Sequence, residues 1–200
     1  FPVVNVAGAS GQTGLAKMLA AAPDGYTISI MTGDTFGTQA AGKPNWKFSD
    51  ITPVAIMIKQ PSAFFVPANS PIKNWNDLVA EAKKRPLKVA VTGFGTPDDI
   101  TVNYFTKKGV NLASVPFANP GERYTAILGG HADLLYEQLG DVKTFLESKQ
   151  MRPIVIFDTQ RFPLFHDVQT CVEIGSPVII IQFRMVTMKA GTDAQRIKVL

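Results

Sequence analysis

Residues 3–19 read VVNVAGASGQTGLAKML. A β-branched run meets Gly8-Ala9-Ser10-Gly11-Gln12-Thr13-Gly14, and a helical stretch with Leu15, Met18 and Leu19 follows. Strand, glycine loop and helix in this order is the pattern of a dinucleotide-binding unit, whose glycines let the backbone approach a pyrophosphate at a helix N-terminus. It is equally the pattern of a tight turn into a helix whose first N–H groups are sheltered or meet a smaller anion. The rest of the chain has to decide between them.

Two hundred residues, 46% hydrophobic and 18% charged, suffice for one large domain or two small ones with a buried core, and exclude a disordered chain. The formal net charge is +4 and the pI near 9.2. The cations are scattered, and the only run, Lys83-Lys84-Arg85, closes a predicted helix where it suits the dipole. A nucleic-acid surface is therefore not expected. The single cysteine, Cys171, excludes an internal disulfide and a cysteine-built metal site. His131 and His166 lie far apart and out of ligand spacing, so no metal is expected. No Gly-x-Ser-x-Gly elbow and no P-loop ending is present. The longest apolar run, Val178–Ile181, is of strand length. Phe1 as the first residue and Leu200 inside a helical pattern are what a processed or truncated chain would show.

Along the chain, strands alternate with helices. A strand at 2–6 precedes a helix at 12–22 that Pro23-Asp24-Gly25 ends, and a strand at 26–32 leads into a Gly/Thr/Asp-rich loop up to Trp46. Strands at 51–58 and 62–67 are divided by Gln60-Pro61. Asn74 as N-cap and Asp77 three residues on open a helix with Trp75, Leu78, Val79 and Ala82 on one face. The unit then recurs: strand 87–92, glycine loop Gly93-Phe94-Gly95, and a helix opened by Thr96-Pro97-Asp98-Asp99 and stopped by Gly109. Strands near 113–117, 132–137, 152–157 and 178–188 and helices at 121–128 and 139–148 complete an α/β pattern with parallel sheets. Pro67-Ala68-Asn69-Ser70-Pro71 is the most linker-like stretch, and a lobe boundary is expected there.

Two spacings support a nicotinamide-dependent reductase. Asp34 lies twenty residues after Gly14, where a ribose-binding acid belongs, and Tyr104 and Lys108 have the Tyr-x-x-x-Lys spacing of short-chain dehydrogenases. Both have ordinary explanations: Thr32-Gly33-Asp34-Thr35 is a common loop composition, and Tyr104 and Lys108 stand one turn apart on a helix with an apolar and a solvated side.

Several stretches together resemble the periplasmic substrate-binding proteins of tripartite tricarboxylate transporters, the Bug-type proteins. They are Val3-Val4-Asn5 with Gly8–Gly14, Ala22-Pro-Asp-Gly-Tyr-Thr27, Pro53-Val-Ala55, Asn69-Ser-Pro71, Gly93-Phe-Gly-Thr96, Val115-Pro-Phe117, Leu128-Gly-Gly-His-Ala-Asp133, Phe183-Arg-Met-Val186 and Ala190-Gly-Thr192. The resemblance covers nearly the whole chain, whereas a dehydrogenase resemblance ends within its first third. It implies an α/β fold of two lobes, a type II-like periplasmic-binding-protein clamp of mostly parallel sheets flanked by helices. Lobe 1 would be 1–70 with 186–200, and lobe 2 would be 71–185. The implied function is capture of a small carboxylate in the interlobe cleft and delivery to membrane permease subunits, without catalysis or cofactor, by a periplasmic monomer. Family members also begin with a further strand and gripping loop before the residues matching Val3, and continue past Leu200. An effector-binding module of a transcriptional regulator shares the two-lobed form and stays open as an alternative.

Loops after strand C-termini face the cleft in open α/β lobes, which selects Thr32, Gly33, Asp34 and Thr35, then Thr92, Gly93, Gly95 and Thr96, then Phe117, Ala118 and Asn119, and Glu137 with Gln138. Gly95 and Thr96 are expected to give N–H groups, and Thr96 its hydroxyl, to a ligand carboxylate, although Thr96 as a plain helix cap fits as well. Asp34 or Glu137 would suit an ammonium group. Arg184, inside an apolar run, would face an anion or bridge to an acid. Asp34, Asp98 and Glu137 stand where the family carries small or amide residues, so a purely polyanionic ligand would meet repulsion.

Overall fold

β-Branched and aromatic runs pair into strands only where a neighbour completes their hydrogen bonds, and helices start where a cap meets an apolar stripe. The computed structural model describes residues 2–42, 45–117 and 119–199. The chain divides into two units, Phe1–Lys59 with Phe183–Leu200 and Gln60–Gln182. Both divisions fall inside strands, β2 (Ile51–Pro67) and β7 (Ile181–Lys189), whereas the expected lobes divide at residues 70/71 and 185/186. The linker-like stretch after Pro67 is tied into the second unit: Ala68 N–H donates to the Gln150 carbonyl (2.9 Å), and the Arg152 guanidinium donates to the carbonyls of Ala68, Ser70 and Ile72.

In the first unit, β1 (Ile28–Thr32) runs antiparallel to β7, with Ile28 opposite Met188 and Thr32 opposite Arg184. Helices α1 (Gln12–Ala20) and α2 (Gly33–Ala41) accompany this sheet, and Leu15, Met18, Met31, Trp46, Ile51 and Met185 form the buried cluster. Two expectations are corrected here. Residues 2–6 are not a strand: they are irregular and exposed at Val3 and Val4, and no strand pairs with them among the described residues. Residues 33–41 are a helix rather than a loop. Gly33, Gly37 and the threonines weaken its intrinsic propensity, but Phe36 packs on the rings of Trp46, Phe48 and Phe183, and this tertiary contact overrides the propensity.

The Pro23–Thr27 motif has a structural cause. Gly25 has φ +82°, and the Asp24 carboxylate accepts from Tyr26 N–H at 3.0 Å. Arg196, on the short α7 (Ala194–Ile197), donates to the Asp24 carbonyl at 2.6 Å and stacks 5.0 Å from the Tyr26 ring centre. The positive φ favours glycine at position 25, and a Cβ there would lie 3.1 Å from the Arg196 side chain, which would have to give by a few tenths of an ångström.

In the second unit, β3 (Leu87–Val91) lies parallel to both β4 (Leu112–Pro116) and β5 (Leu134–Gln138). β2 runs antiparallel to β5 and, with a register shift at Phe64/Phe65, to β6 (Met151–Ile156). β2 is one strand through Pro61, not the expected two. Pro61 lacks a donor but still accepts from Leu139 N–H at 3.3 Å, so the ladder continues past it. Helices α3 (Trp75–Ala82), α4 (Pro97–Lys107) and α5 (Pro120–Leu128) begin at or beside their expected starts. The expected helix at 139–148 is confined to α6 (Lys143–Glu147). Phe64, Phe105, Tyr136 and Phe157 pack at centroid distances of 5.0–6.1 Å in the main core, Tyr136 stacked on Phe157 and the other pairs edge-on or tilted. No helix among the described residues is long and apolar enough to cross a membrane.

Asp133, the last residue of the Leu128–Asp133 motif, fixes where β3 begins. Its carboxylate accepts both Arg85 Nη groups (2.9 and 2.7 Å) and Lys88 N–H (2.8 Å), while its own N–H donates to the Lys88 carbonyl at 2.9 Å. Partial burial pushes the Asp133 carboxyl up, but Arg85 and the Lys88 N–H more than offset this and hold it below its ordinary range. Asp133→Asn is expected to cost about 1–2 kcal/mol at neutral pH, since the pair is half open to solvent. A lowered folded-state pKa gives stability above the unfolded value that disappears as pH falls through the folded one. Denaturant midpoints of wild type and variant should therefore converge below about pH 4.

Candidate functional site

Because β4, β3 and β5 are parallel, their C-terminal ends and the helix starts that follow share one edge of the second unit. Phe117 N–H donates to the Val91 carbonyl at 2.8 Å, joining the ends of β4 and β3. Gly95 turns with φ +76° into Thr96, the extended N-cap of α4. The Thr96 side chain does not cap the helix. Its single hydroxyl proton is shared between the Gly93 carbonyl and the Asp98 carboxylate.

Asp98 and Asp99 turn back onto the loop. Asp98 accepts from Thr92 N–H, and Asp99 accepts from Gly95 N–H (2.9 Å) and the Ser114 hydroxyl (2.7 Å). Both are buried. The Gly95 N–H, expected to meet a ligand carboxylate, is thus engaged by a carboxylate of the chain itself. Glycine-loop amides at a helix start are an anion site, and here two aspartates fill that role while complementing the helix dipole.

Glu137, the last but one residue of β5, has 4% of its surface exposed. Its carboxylate accepts from Arg123 Nη2 at 2.8 Å, the Tyr124 hydroxyl at 3.3 Å and Gln138 N–H at 3.2 Å. Arg123, equally buried, also donates Nη1 to the Phe117 carbonyl at 2.9 Å, and its buried Nε has no hydrogen-bond partner among the described residues. The pair joins the ends of β4 and β5 to α5. Burial pushes the Glu137 carboxyl up, and Arg123 pulls it only part of the way back. Burial, with the charge of Glu137, also pushes the Tyr124 phenol up. The ammonium partner expected for Glu137 is therefore replaced by an internal guanidinium. Arg123 was not among the expected site residues. A signal existed: it shares a face of α5 with the buried Ala126 and Ile127, an odd place for an unpaired cation.

In the first unit, Gly8, Ala9, Ser10 and Gly11 all have positive φ, and Gly11 N–H closes a turn on the Gly8 carbonyl at 3.0 Å. A Cβ on Gly11 would lie 2.7 Å from the Thr35 hydroxyl oxygen, so the glycine permits a close approach to the start of α2. Thr35 donates to the Ser10 carbonyl (3.2 Å), Gln12 to the Thr35 carbonyl (2.8 Å), and Trp46 Nε1 to the Gln12 side-chain oxygen (2.9 Å). Thr32 and Gly33 stand at the junction of β1 and α2, Asp34 in the first helical turn, and Arg184 across the ladder from Thr32. Thr92, Gly93, Gly95, Thr96, Phe117 and Glu137 gather in the second unit. Asn119 caps α5 through Gly121 N–H, and Ala118 lies outside the described residues.

The dinucleotide pattern is not realised. The glycine loop follows irregular chain, and β1 pairs antiparallel with β7, which is not a βαβ unit. Lys108 sits 5.9 Å from the Tyr104 ring centre, and Tyr104 packs against the core, which accounts for their spacing. No group of three or more His, Cys, Asp or Glu side chains among the described residues could hold a metal ion.

The family described as "Tripartite tricarboxylate transporter family receptor" matches residues 2–200. The "UPF0065 protein in gbd 5'region" of Cupriavidus necator is 28% identical over 206 residues, covering 99% of this chain and 62% of that protein. The chain spans between half and two thirds of the length of the curated relatives it matches. Among solved structures, R. palustris Rpa4515 with adipate has a TM-score of 0.90 at 24% identity, covering 100% of this chain and 69% of that one. The periplasmic binding protein BugD has a TM-score of 0.85 at 22% identity, covering 96% and 66%. The fold class is that of the periplasmic binding proteins, α/β with helices flanking the sheets.

Removing Arg123 leaves a buried carboxylate without its cation. Arg123→Ala is expected to destabilise by roughly 3–5 kcal/mol, whereas Arg123→Met with Glu137→Leu should recover most of that loss. A raised folded-state pKa means that stability falls as pH rises from the unfolded to the folded value. In Arg123→Ala this rise is larger, so its deficit against wild type should be greatest at neutral pH and shrink as pH approaches about 4.3. Urea midpoints across pH measure both effects. An Arg123→Ala deficit that grows on acidification would contradict the pair's role.

Proposed function

The chain belongs to the tripartite tricarboxylate transporter receptor family, and we propose that it captures a small carboxylate or zwitterionic carboxylate in the periplasm for delivery to the permease subunits of a tripartite tricarboxylate-type transporter. It works as a monomer and performs no chemistry on its ligand. The observation that carries this reading is the family match across residues 2–200, and the loops at the shared edge of β3, β4 and β5 are where a ligand would be met. A protein of the same fold, R. palustris Rpa4515, is described with adipate, a small dicarboxylate, so carboxylate capture is known on this fold while the preference for a single charge rests on this chain's own acids.

In the second unit the ligand-facing residues are Thr92, Gly93, Gly95, Thr96, Phe117, Ala118 and Glu137. In the first unit they are Thr32, Gly33, Asp34, Thr35 and Arg184. Charge sets the selectivity. Asp98, Asp99 and Glu137 put three carboxylates beside one guanidinium, Arg123, at the strand-end edge. A ligand with several negative charges is repelled there, while a single carboxylate, or one accompanied by an ammonium group, is tolerated.

Thermal melts of the complete gene product with monocarboxylates, amino acids, dicarboxylates and citrate test this. Ligand at one hundred times its dissociation constant adds about 2.7 kcal/mol to stability, a shift of roughly 5–10 °C for a domain of this size. Monocarboxylates or amino acids are expected to give such a shift and citrate little. A strong citrate shift with none from the others would overturn the charge argument. A saturable shift with NADH would overturn the binding-protein reading.

A further inference from the structure

The loops at the strand-end edge of the second unit spend many of their polar groups inside the chain. Thr92 N–H and Gly95 N–H meet Asp98 and Asp99, and the Thr96 hydroxyl meets the Gly93 carbonyl. Phe117 uses its N–H on Val91 and its carbonyl on Arg123. Thr96, Asp98, Asp99, Arg123, Glu137 and Gln138 are all buried. Phe94 is the opposite case. It is 69% exposed, and among the described residues of 92–96, 117–119 and 137–138 no other large apolar side chain is exposed.

The exposure of Phe94 is built in. The Gly93 carbonyl is held by Thr96 and the Gly95 N–H by Asp99, so the chain is fixed on both sides of residue 94. Gly95 takes φ +76°, a left-handed turn, and neither glycine has a side chain to cover the ring. Phe117, half-buried, stands at the neighbouring strand end, tied by its N–H to Val91, three residues before Phe94. Small-molecule sites are mostly apolar with a few placed polar groups. An edge whose polar groups are already satisfied takes much of its affinity from apolar contact.

We propose that Phe94 is a specificity-determining residue, its ring covering the apolar body of a ligand whose carboxylate is met at the strand-end edge. The favoured ligands are then carboxylates with an aromatic or long aliphatic body, alone or with an ammonium group, over short ones such as acetate or glycine. Taking the ring and the ligand body out of water together supplies the difference. The inference rests on the carboxylate-capture reading and deepens it, since Phe94 selects among carboxylates.

Isothermal titration of the complete gene product with phenylacetate and acetate, and with phenylalanine and glycine, provides the test. In at least one pair the ring-bearing ligand is expected to bind about tenfold more tightly or better. Phe94→Ala should lose about tenfold for that ligand while changing the short one by less than about twofold. Phe94→Leu should keep part of the preference. Residue 94 is exposed, so melting temperatures without ligand should stay near wild type and separate a lost contact from lost folding. Equal affinity within each pair, an unchanged preference in Phe94→Ala, or an equal loss for long and short ligands would each overturn this inference and leave carboxylate capture standing. Binding of no carboxylate at all would overturn both.

Discussion

The buried pair of Arg123 and Glu137 is the constraint on which the strand-end edge depends. Two charges taken out of water cost several kcal/mol each, and the cost is offset only when geometry and further hydrogen bonds are good. Here the guanidinium reaches a carboxylate at the end of β5 and a carbonyl at the end of β4 from a single position on α5. The loop after β4 is thus fixed by a side chain that is itself fixed. Parallel pairing supplies the rest: β3 lies between β4 and β5, and the crossover helices bring every strand end to the same edge.

That edge is chemically unusual because the chain answers its own anion site. Loop amides before α4 are oriented to receive negative charge, and Asp98 and Asp99 provide it from within the first turn of the helix. The Thr92 and Gly95 N–H groups are thereby satisfied by the chain itself, and two carboxylates stand where a bound anion would otherwise be held. On the proposed reading, the same acids would set the edge against ligands of high negative charge.

The glycine loop at residues 8–11 shows how one sequence pattern serves two structures. In a nucleotide site, glycines admit a phosphate; here Gly11 admits the hydroxyl of Thr35 and the start of a second helix. Gln12 and Trp46 complete a polar contact that ties α1, α2 and the segment beyond into one body. Close backbone approach is the common requirement, and glycine satisfies it whatever approaches.

The sequence by itself determined the elements whose signals are local. Asn74 caps α3, Pro97 opens α4, Gly109 stops it, and the alternation of strands with helices fixes the α/β class. The run of motifs from Val3 to Thr192 pointed to the family across nearly the whole chain. Local signals misled where long-range contacts outweigh propensity: residues 2–6 look like a strand but pair with none among the described residues, and residues 33–41 look like a loop but gain helicity from Phe36 packing. At the candidate site, the strand-end rule found Thr92, Thr96, Phe117 and Glu137 as positions, yet not what occupies them. Arg123 lies 14 residues from Glu137 and Asp99 lies 15 from Ser114, and their hydrogen bonds exist only once the parallel strands are aligned. Period and capping are properties of a few consecutive residues, whereas the partner of a buried charge is chosen by packing, and only the tertiary structure makes that choice.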